Sequence, residues 1–253
     1  MDLGLSGRVF IATGASRGLG FATARCLVDD GAKVVVSARD ENRLATAVKE
    51  LGGPGAAVGI AADLTDPATP GRLVSAAKEN FGRLDGALVS VGGPARGTAA
   101  TVTDQQWQEA FETVFLGTVR MARTVAGAME HGGAIALVLS SSSRSPVPGL
   151  GLSNGLRPGL AGAAKDMADE FAAHNVRVVS LLPHRILTDR NRELFAATGD
   201  AAAARAQAEA SIPLGRLGDP AEFGRVAAFV LSPAASYLTG LTIPIDGGAL
   251  RVI

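Results

Sequence analysis

The sequence is short of aromatic side chains, of net charge and of cysteine, and each shortage closes off a class of function. Aromatics make up 4% of the 253 residues, with one Trp and one Tyr, too few for the stacking platforms on which proteins lay single-stranded bases. Lys and Arg number 24, as do Asp and Glu, so the chain carries no electrostatic footprint for DNA or an anionic membrane. The lone Cys26 cannot close a disulfide within the chain or build a cysteine zinc site. No long apolar run goes unbroken. Val226 to Ile245 lacks charge, but Pro233, Pro244, Ser232, Ser236, Thr239 and Thr242 interrupt it, which argues against a membrane span. The opening MDLGLSGRVFIATG has no basic start followed by an apolar signal core. These shortages predict a cytoplasmic protein with no metal and with no nucleic-acid or membrane partner.

Aliphatic side chains and glycine are what the chain has in plenty. Hydrophobic residues reach 47%, charged residues only 19%, and Gly is 32 of 253. That excludes disorder and suits a fold with many tight turns. Short β-branched runs at 9–13, 33–37, 58–61, 87–90, 135–139, 177–182 and 242–245 read as strands. Most are apolar on both faces, as in a parallel sheet covered by helices on each side. Helical patterns lie between them at 18–30, 41–51, 67–81, 104–130, 158–173 and 219–231. Asp66-Pro67 and Asp219-Pro220 place a cap before a first-turn proline, Glu222 completes a capping box, and Thr103 with Gln106 gives another. The alternation predicts an α/β doubly wound parallel sheet of about seven strands. Residues 185–218 separate the sixth strand from the last helix, with an Ala-rich helical piece near 192–210. In this architecture such an insertion beyond the strand ends is where a small-molecule substrate binds.

The first strand ends in Thr13-Gly14-Ala15-Ser16-Arg17-Gly18-Leu19-Gly20. Glycines 14, 18 and 20 sit at the first βα turn, the context in which a glycine triplet signals a dinucleotide. Gly14 permits the turn, and Gly18 lets a pyrophosphate approach the positive end of the helix. An NAD site usually has an acid at the end of the second strand. Here that position is Ala38, followed by Arg39. No carboxylate repels a 2′-phosphate, and a guanidinium can grip it, with Arg17 on its other side. The pair favours NADP(H); solvated surface arginines are the alternative. Asp63, before Leu64 at the end of the third strand, can accept from an adenine amino group or cap the next turn.

These motifs resemble the short-chain dehydrogenase/reductase family over essentially the whole chain. TGASRGLG is similar to the family's TGxxxGxG, and Asp63 stands at its adenine-binding aspartate. Pro183, Ile186 and Thr188 match the segment that holds the nicotinamide carboxamide, and Ile245-Asp246-Gly247-Gly248 matches a C-terminal signature. The resemblance implies one Rossmann domain over 1–253 and an oxidoreductase using NADP(H). It also implies a homo-oligomer, tetramer or dimer, formed through the helices near 104–130 and 158–173 and through the C-terminal segments. The small residues Ala161, Gly162, Ala164 and Ala168 allow such close helix packing, or packing on the sheet.

The family's catalytic pattern is altered. Its asparagine falls at Val114, after Trp107-Gln108-Glu109-Ala110-Phe111. Its serine is kept as Ser140. Its tyrosine and lysine fall at Ser153 and Arg157, and the only tyrosine, Tyr237, lies far downstream. The loop after the fourth strand reads Ser90-Val91-Gly92-Gly93, and Pro183 is followed by His184, where the family has glycine. A serine hydroxyl is a poor general acid beside a phenol whose pKa a lysine lowers. Arg157 can bind ribose hydroxyls and polarise a carbonyl but cannot shuttle protons. Pro158 cannot donate to residue 154, so the helix is expected to start later, with Pro158 in its first turn and Arg157 displaced. His184 can titrate near neutral pH. It either supplies the missing proton, through Ser140 or Ser153, or packs as a loop residue on Arg185. His131 and His174 read as surface residues at helix ends. Three functions remain open: a reductase of a carbonyl or imine with a rewired proton donor, a silent NADP(H)-binding sensor or partner, or a lyase or isomerase on the same scaffold, for which no specific residue speaks.

Overall fold

The computed structural model describes residues 2–252; residues 1 and 253, inside the expected domain, lie outside the described residues. Seven strands form one parallel sheet: β1 (Val9–Thr13), β2 (Lys33–Ala38), β3 (Ala57–Ala61), β4 (Gly86–Val89), β5 (Gly133–Val138), β6 (Val176–Pro183) and β7 (Thr242–Ile245). Their order is β3-β2-β1-β4-β5-β6-β7. The chain winds outward from β1 to β3, then returns to β4 and winds the other way. The switch between β1 and β4 opens a crevice at the carboxyl ends of the strands, where ligands of such sheets sit.

Alternation along each strand divides the core in two. Val9 and Ile11 join Val35, Leu73, Met121, Val125, Leu160 and Met167 on one face. Phe10 and Ala12 join Val34, Val36, Leu27, Phe223 and Ala227 on the other. The first layer is built by α3 (Thr69–Phe81), α5 (Gly117–Ala128) and α6 (Gly151–Phe171), and the second by α1 (Gly18–Asp29), α2 (Glu41–Glu50) and α9 (Pro220–Leu231). Helices α4 (Asp104–Ala110), α7 (Asp189–Ala196) and α8 (Ala201–Ala210) lie outside these layers in the chain order. Asp85 ties the opposite end of the sheet. Its buried carboxylate takes Arg83 at 2.6 and 2.7 Å, Arg8 at 3.0 Å and the Val9 amide at 2.9 Å.

The helical piece expected near 192–210 is two helices, α7 and α8, and the other sequence-based elements hold with three corrections. Helix α3 begins at Thr69, not at 67, because the Asp66 carboxylate takes the Ala68 amide (2.9 Å) in a turn that precedes it. The expected helix over 104–130 is interrupted by a π-helical turn, Phe111–Leu116, that carries Val114. The third correction bears on the site. α6 starts at Gly151, and Pro158 lies inside it rather than in its first turn. Loss of the Pro158 donor costs about 3 kcal/mol, but contacts distant in sequence hold the two turns before it. A Cβ at Gly151 would lie 2.5 Å from the Ala99 nitrogen, so only glycine lets the helix start there. Both ends of the Asn154 amide bond the Val147 backbone, at 2.9 and 3.0 Å. Both predicted capping boxes, Thr103/Gln106 and Asp219/Glu222, form. Ala164 and Ala168 bury themselves in the chain's own core. No helix among the described residues is long and apolar enough to cross a membrane.

Candidate active site

The strand ends enclose a cleft of about 860 Å³, and every residue singled out above as a site candidate lines it. Its floor is the glycine turn. The Thr13 hydroxyl donates to the Ser90 carbonyl and accepts from the Ser90 amide, both at 2.8 Å, fixing the ends of β1 and β4 together. Gly14 has φ +59°, and a Cβ there would stand 2.8 Å from the Ser90 oxygen. Gly18, at φ +62°, faces open space except for the Thr188 methyl 3.7 Å from where a Cβ would be. No side chain caps α1, so its first amides are left for an anion at the positive helix end. A cradle that a side chain would fill, ahead of an uncapped helix, fits a pyrophosphate.

At the far end of the cleft, Arg39 is 79% exposed and 4.0 Å from the Asp63 carboxylate. Asp63 also caps its own turn, accepting from the Thr65 amide and hydroxyl at 2.9 Å each. The expected second arm of a phosphate clasp is differently employed: Arg17 pairs with Glu193 of α7 at 2.9 Å. The second arginine lining this end is Arg43, held by Asp40 at 3.3 Å. Nothing in the sequence motifs singled it out.

The opposite wall carries the altered catalytic positions. Continuous α6 sets Arg157 one turn beyond Ser153, not displaced from it. Ser153 is buried, and its hydroxyl meets that of Ser142 at 2.9 Å. The Ser140 hydroxyl accepts from the Ser142 amide at 3.1 Å and caps a short 3-10 turn, Ser141–Ser143. Ser141 in turn meets His184 Nδ1 at 2.8 Å. His184 is therefore bonded to neither Ser140 nor Ser153, the two serines that one of its alternative readings linked it to, but to Ser141. The Ser140–Ser143 run was the available signal. Burial and Arg185 push the imidazole below its ordinary 6.5, with Asp246 opposing. Arg157 is buried and donates to the Val138 carbonyl at 2.7 Å. Burial first, then the charge of Arg190, lowers it to about 10. Val114 presents no polar atom to the cleft. Tyr237 is exposed and does not line it.

The segment after β6 is anchored at its base. Leu187 and Arg185 exchange bonds with Gly218 at 2.8 and 3.0 Å. The Asn191 amide reaches the Ile186 carbonyl at 2.6 Å, and Thr188 caps α7. Arg190 then bridges to the loop after β4, donating to the Gly93 and Pro94 carbonyls at 2.9 and 3.3 Å. Neither Asn191 nor Arg190 stood out in the sequence.

A parallel sheet with a glycine turn at its switch point and a serine-lined wall opposite defines a dinucleotide-binding oxidoreductase fold. Comparison with known proteins makes the assignment specific. Residues 14–249 match the family model described as enoyl-(acyl carrier protein) reductase. The chain is 34% identical to dehydrogenase/reductase SDR family member 4 of Bos taurus, over 97% of this chain and 88% of that one. It is 30% identical to the 3-oxoacyl-(acyl carrier protein) reductase of Vibrio cholerae, over 99% of this chain and all of that one, 100%. Among solved structures, L-sorbose reductase from Gluconobacter frateurii, complexed with NADPH and L-sorbose, superposes with TM-score 0.93 at 29% identity, covering 100% of both chains. The chain belongs to the short-chain dehydrogenase/reductase family.

Proposed function

We propose that this chain is an NADP(H)-dependent reductase of a small carbonyl or imine compound, in which hydroxyls and a guanidinium stand where its family uses tyrosine and lysine. The observation that carries this reading is the pairing of Ser153 with Ser142 on the wall that also holds Arg157, facing the glycine turn. Support for the cofactor comes from Arg39 at the end of β2, the absence of an acid at Ala38, and the NADPH in the sorbose reductase complex. Gly14, Ser16, Gly18, Leu19 and Gly20 would hold the pyrophosphate, Asp63 and Leu64 the adenine, and Ser90, Gly92, Pro183, Ile186 and Thr188 the nicotinamide side. Bound there, the nicotinamide supplies the hydride.

The protein's task is then to position a carbonyl and stabilise the charge that grows on its oxygen. Ser140 and Ser153 donate to that oxygen. Arg157 contributes fixed positive charge from a buried position, where charge counts for more than in water. The proton comes from solvent in the cleft, and the bond to Ser142 holds the Ser153 hydroxyl in place. His184 holds the serine turn by its bond to Ser141 and is a positioning residue. Residues 185–218 close over the substrate. A second reading, nucleotide binding without turnover, has its own observation: Ser153 and Arg157 already have partners within the protein. An NADPH titration beside a carbonyl and imine panel, read at the nicotinamide absorbance, separates the two. Turnover supports the reductase; tight binding with no turnover across the panel supports the silent protein.

A further inference from the structure

Three arginines of the cleft have no carboxylate partner among the described residues. Arg190 grips the Gly93 and Pro94 carbonyls, which brings it beside Arg96, and Arg157 lies within reach of its charge. All three line the same cleft. The acids nearby are committed elsewhere: Glu193 to Arg17 at 2.9 Å, Asp189 to Arg192 at 3.1 Å, and Glu109 accepts from Gln105 at 2.9 Å. Arg96 is exposed and has no hydrogen-bond or ion-pair partner among the described residues.

Such a cluster is unfavourable by itself. Burial and the charges of Arg96 and Arg17 weaken the hold of Arg190 on its proton, with only Glu193 opposing. Half-buried like charges persist where an anion completes them. On the functional reading above, the cofactor's phosphates lie over Gly18 and beside Arg39, and the NADPH affinity of Arg96→Ala tells their claim on this charge from the substrate's. Guanidinium forks match the planar edge of an oxyanion and accept it with two donors. Meanwhile Ser140 and Ser153 offer donors to a neutral carbonyl oxygen.

We propose, resting on that reading, that the substrate is a small anionic carbonyl compound whose carboxylate or phosphate group is held by Arg96 and Arg190 while Ser140 and Ser153 receive its carbonyl oxygen. In the reaction the carbonyl carbon takes a hydride from NADPH and the oxygen takes a proton from solvent, giving the hydroxy compound and NADP⁺. The neutral sugar of the sorbose reductase complex is a different class of ligand.

The test is a binding titration of the full chain preloaded with NADP⁺, followed by fluorescence of Trp107. It is the only tryptophan, and it packs where a Cβ on Gly155 of α6 would stand 2.6 Å from its ring. The probes are acetoacetate against methyl acetoacetate, and dihydroxyacetone phosphate against dihydroxyacetone. The expected result is that one or both anions bind at millimolar concentration, and each neutral partner binds at least about tenfold more weakly, as loss of a charge-assisted bond implies. Acetoacetate alone assigns a carboxylate, and dihydroxyacetone phosphate alone a phosphate ester. Arg96→Ala, at an exposed and unpartnered position, is expected to weaken the anion by about tenfold and leave NADPH affinity within twofold. Equal binding of charged and neutral probes, or no anion binding, overturns the inference while the NADPH titration still stands. Parallel loss of NADPH affinity in Arg96→Ala also overturns it, by giving the cluster to the cofactor. Failure to bind NADPH at all overturns the reductase reading itself.

Discussion

His184 Nδ1 and Ser141 Oγ lie 2.8 Å apart, joining the end of β6 to the serine turn after β5. The histidine is also fixed through its amide, which donates to the Ile245 carbonyl at 3.2 Å. Its depressed basicity follows from burial and Arg185. The lowered basicity shifts the imidazole towards its neutral form at neutral pH, which favours a positioning role over that of proton donor.

The sign of this effect gives the first prediction. A group whose folded pKa lies below its free value binds fewer protons when folded, so its contribution is present above 6.5 and is lost as pH falls towards the depressed pKa. The His184 ring should titrate below 6.5 by NMR, and reduction should be flat between about pH 7 and 8. His184→Gly should leave that plateau flat and lower stability by about 0.5–1.5 kcal/mol, the worth of the lost hydrogen bond. A rate that declines through neutral pH in the parent and flattens in His184→Gly would restore imidazolium as the donor.

Cofactor choice rests on Arg39. Arg39→Ala should weaken NADPH by roughly ten- to a hundredfold, corresponding to about 1.5–3 kcal/mol for a charge-assisted bond. NADH affinity should hardly move, because nothing at Ala38 contacts a 2′-hydroxyl as an acid does. Isothermal titration with both nucleotides checks this, and equal weakening of the two defeats the assignment.

Reconstruction of the family's tyrosine and lysine is expected to need two changes. With α6 continuous through Pro158, Ser153→Tyr and Arg157→Lys together place a phenol and an amine one turn apart. Ordinary ketone reduction should appear in the double variant and not in Ser153→Tyr alone, since a guanidinium does not exchange protons near neutrality. Adding Pro158→Ala should leave kcat within about twofold and raise stability by about 1–3 kcal/mol, because the residue is exposed and the missing helix bond returns. A double variant that works only after Pro158→Ala would show that the proline does misplace position 157.

The sheet's other end offers a stability test independent of activity. Asp85 is 4% exposed and pairs with both Arg8 and Arg83. Asp85→Ala leaves the buried Val9 amide without its acceptor and should cost about 1–3 kcal/mol, as an unsatisfied buried donor does. Urea unfolding measures it; a loss below about 1 kcal/mol would class the network with surface pairs.

The sequence by itself determined the alternation of elements, the parallel sheet and the place of the glycine turn. Those follow from local rules: two-face apolar strands, capping residues, and glycines where only they fit. Asp219-Pro220 with Glu222 and Thr103 with Gln106 form as written because every partner lies within a few residues. The family resemblance likewise located Ser140, Ser153 and Arg157 on one wall, since they share a strand end and a helix. Tertiary structure decided the rest. It carried α6 back to Gly151 against the local preference of Pro158, because the Gly97 carbonyl takes the Gly151 amide at 2.8 Å and Asn154 bonds the Val147 backbone. It drew Arg17 to Glu193, 176 residues away, instead of towards Arg39. It brought Arg190 to Gly93 and Pro94 across 97 and 96 residues, and it bonded His184 to Ser141 rather than to its neighbours. Which polar groups meet across a folded cleft depends on long-range packing that fixes distances to tenths of an ångström, and local sequence patterns carry no record of it.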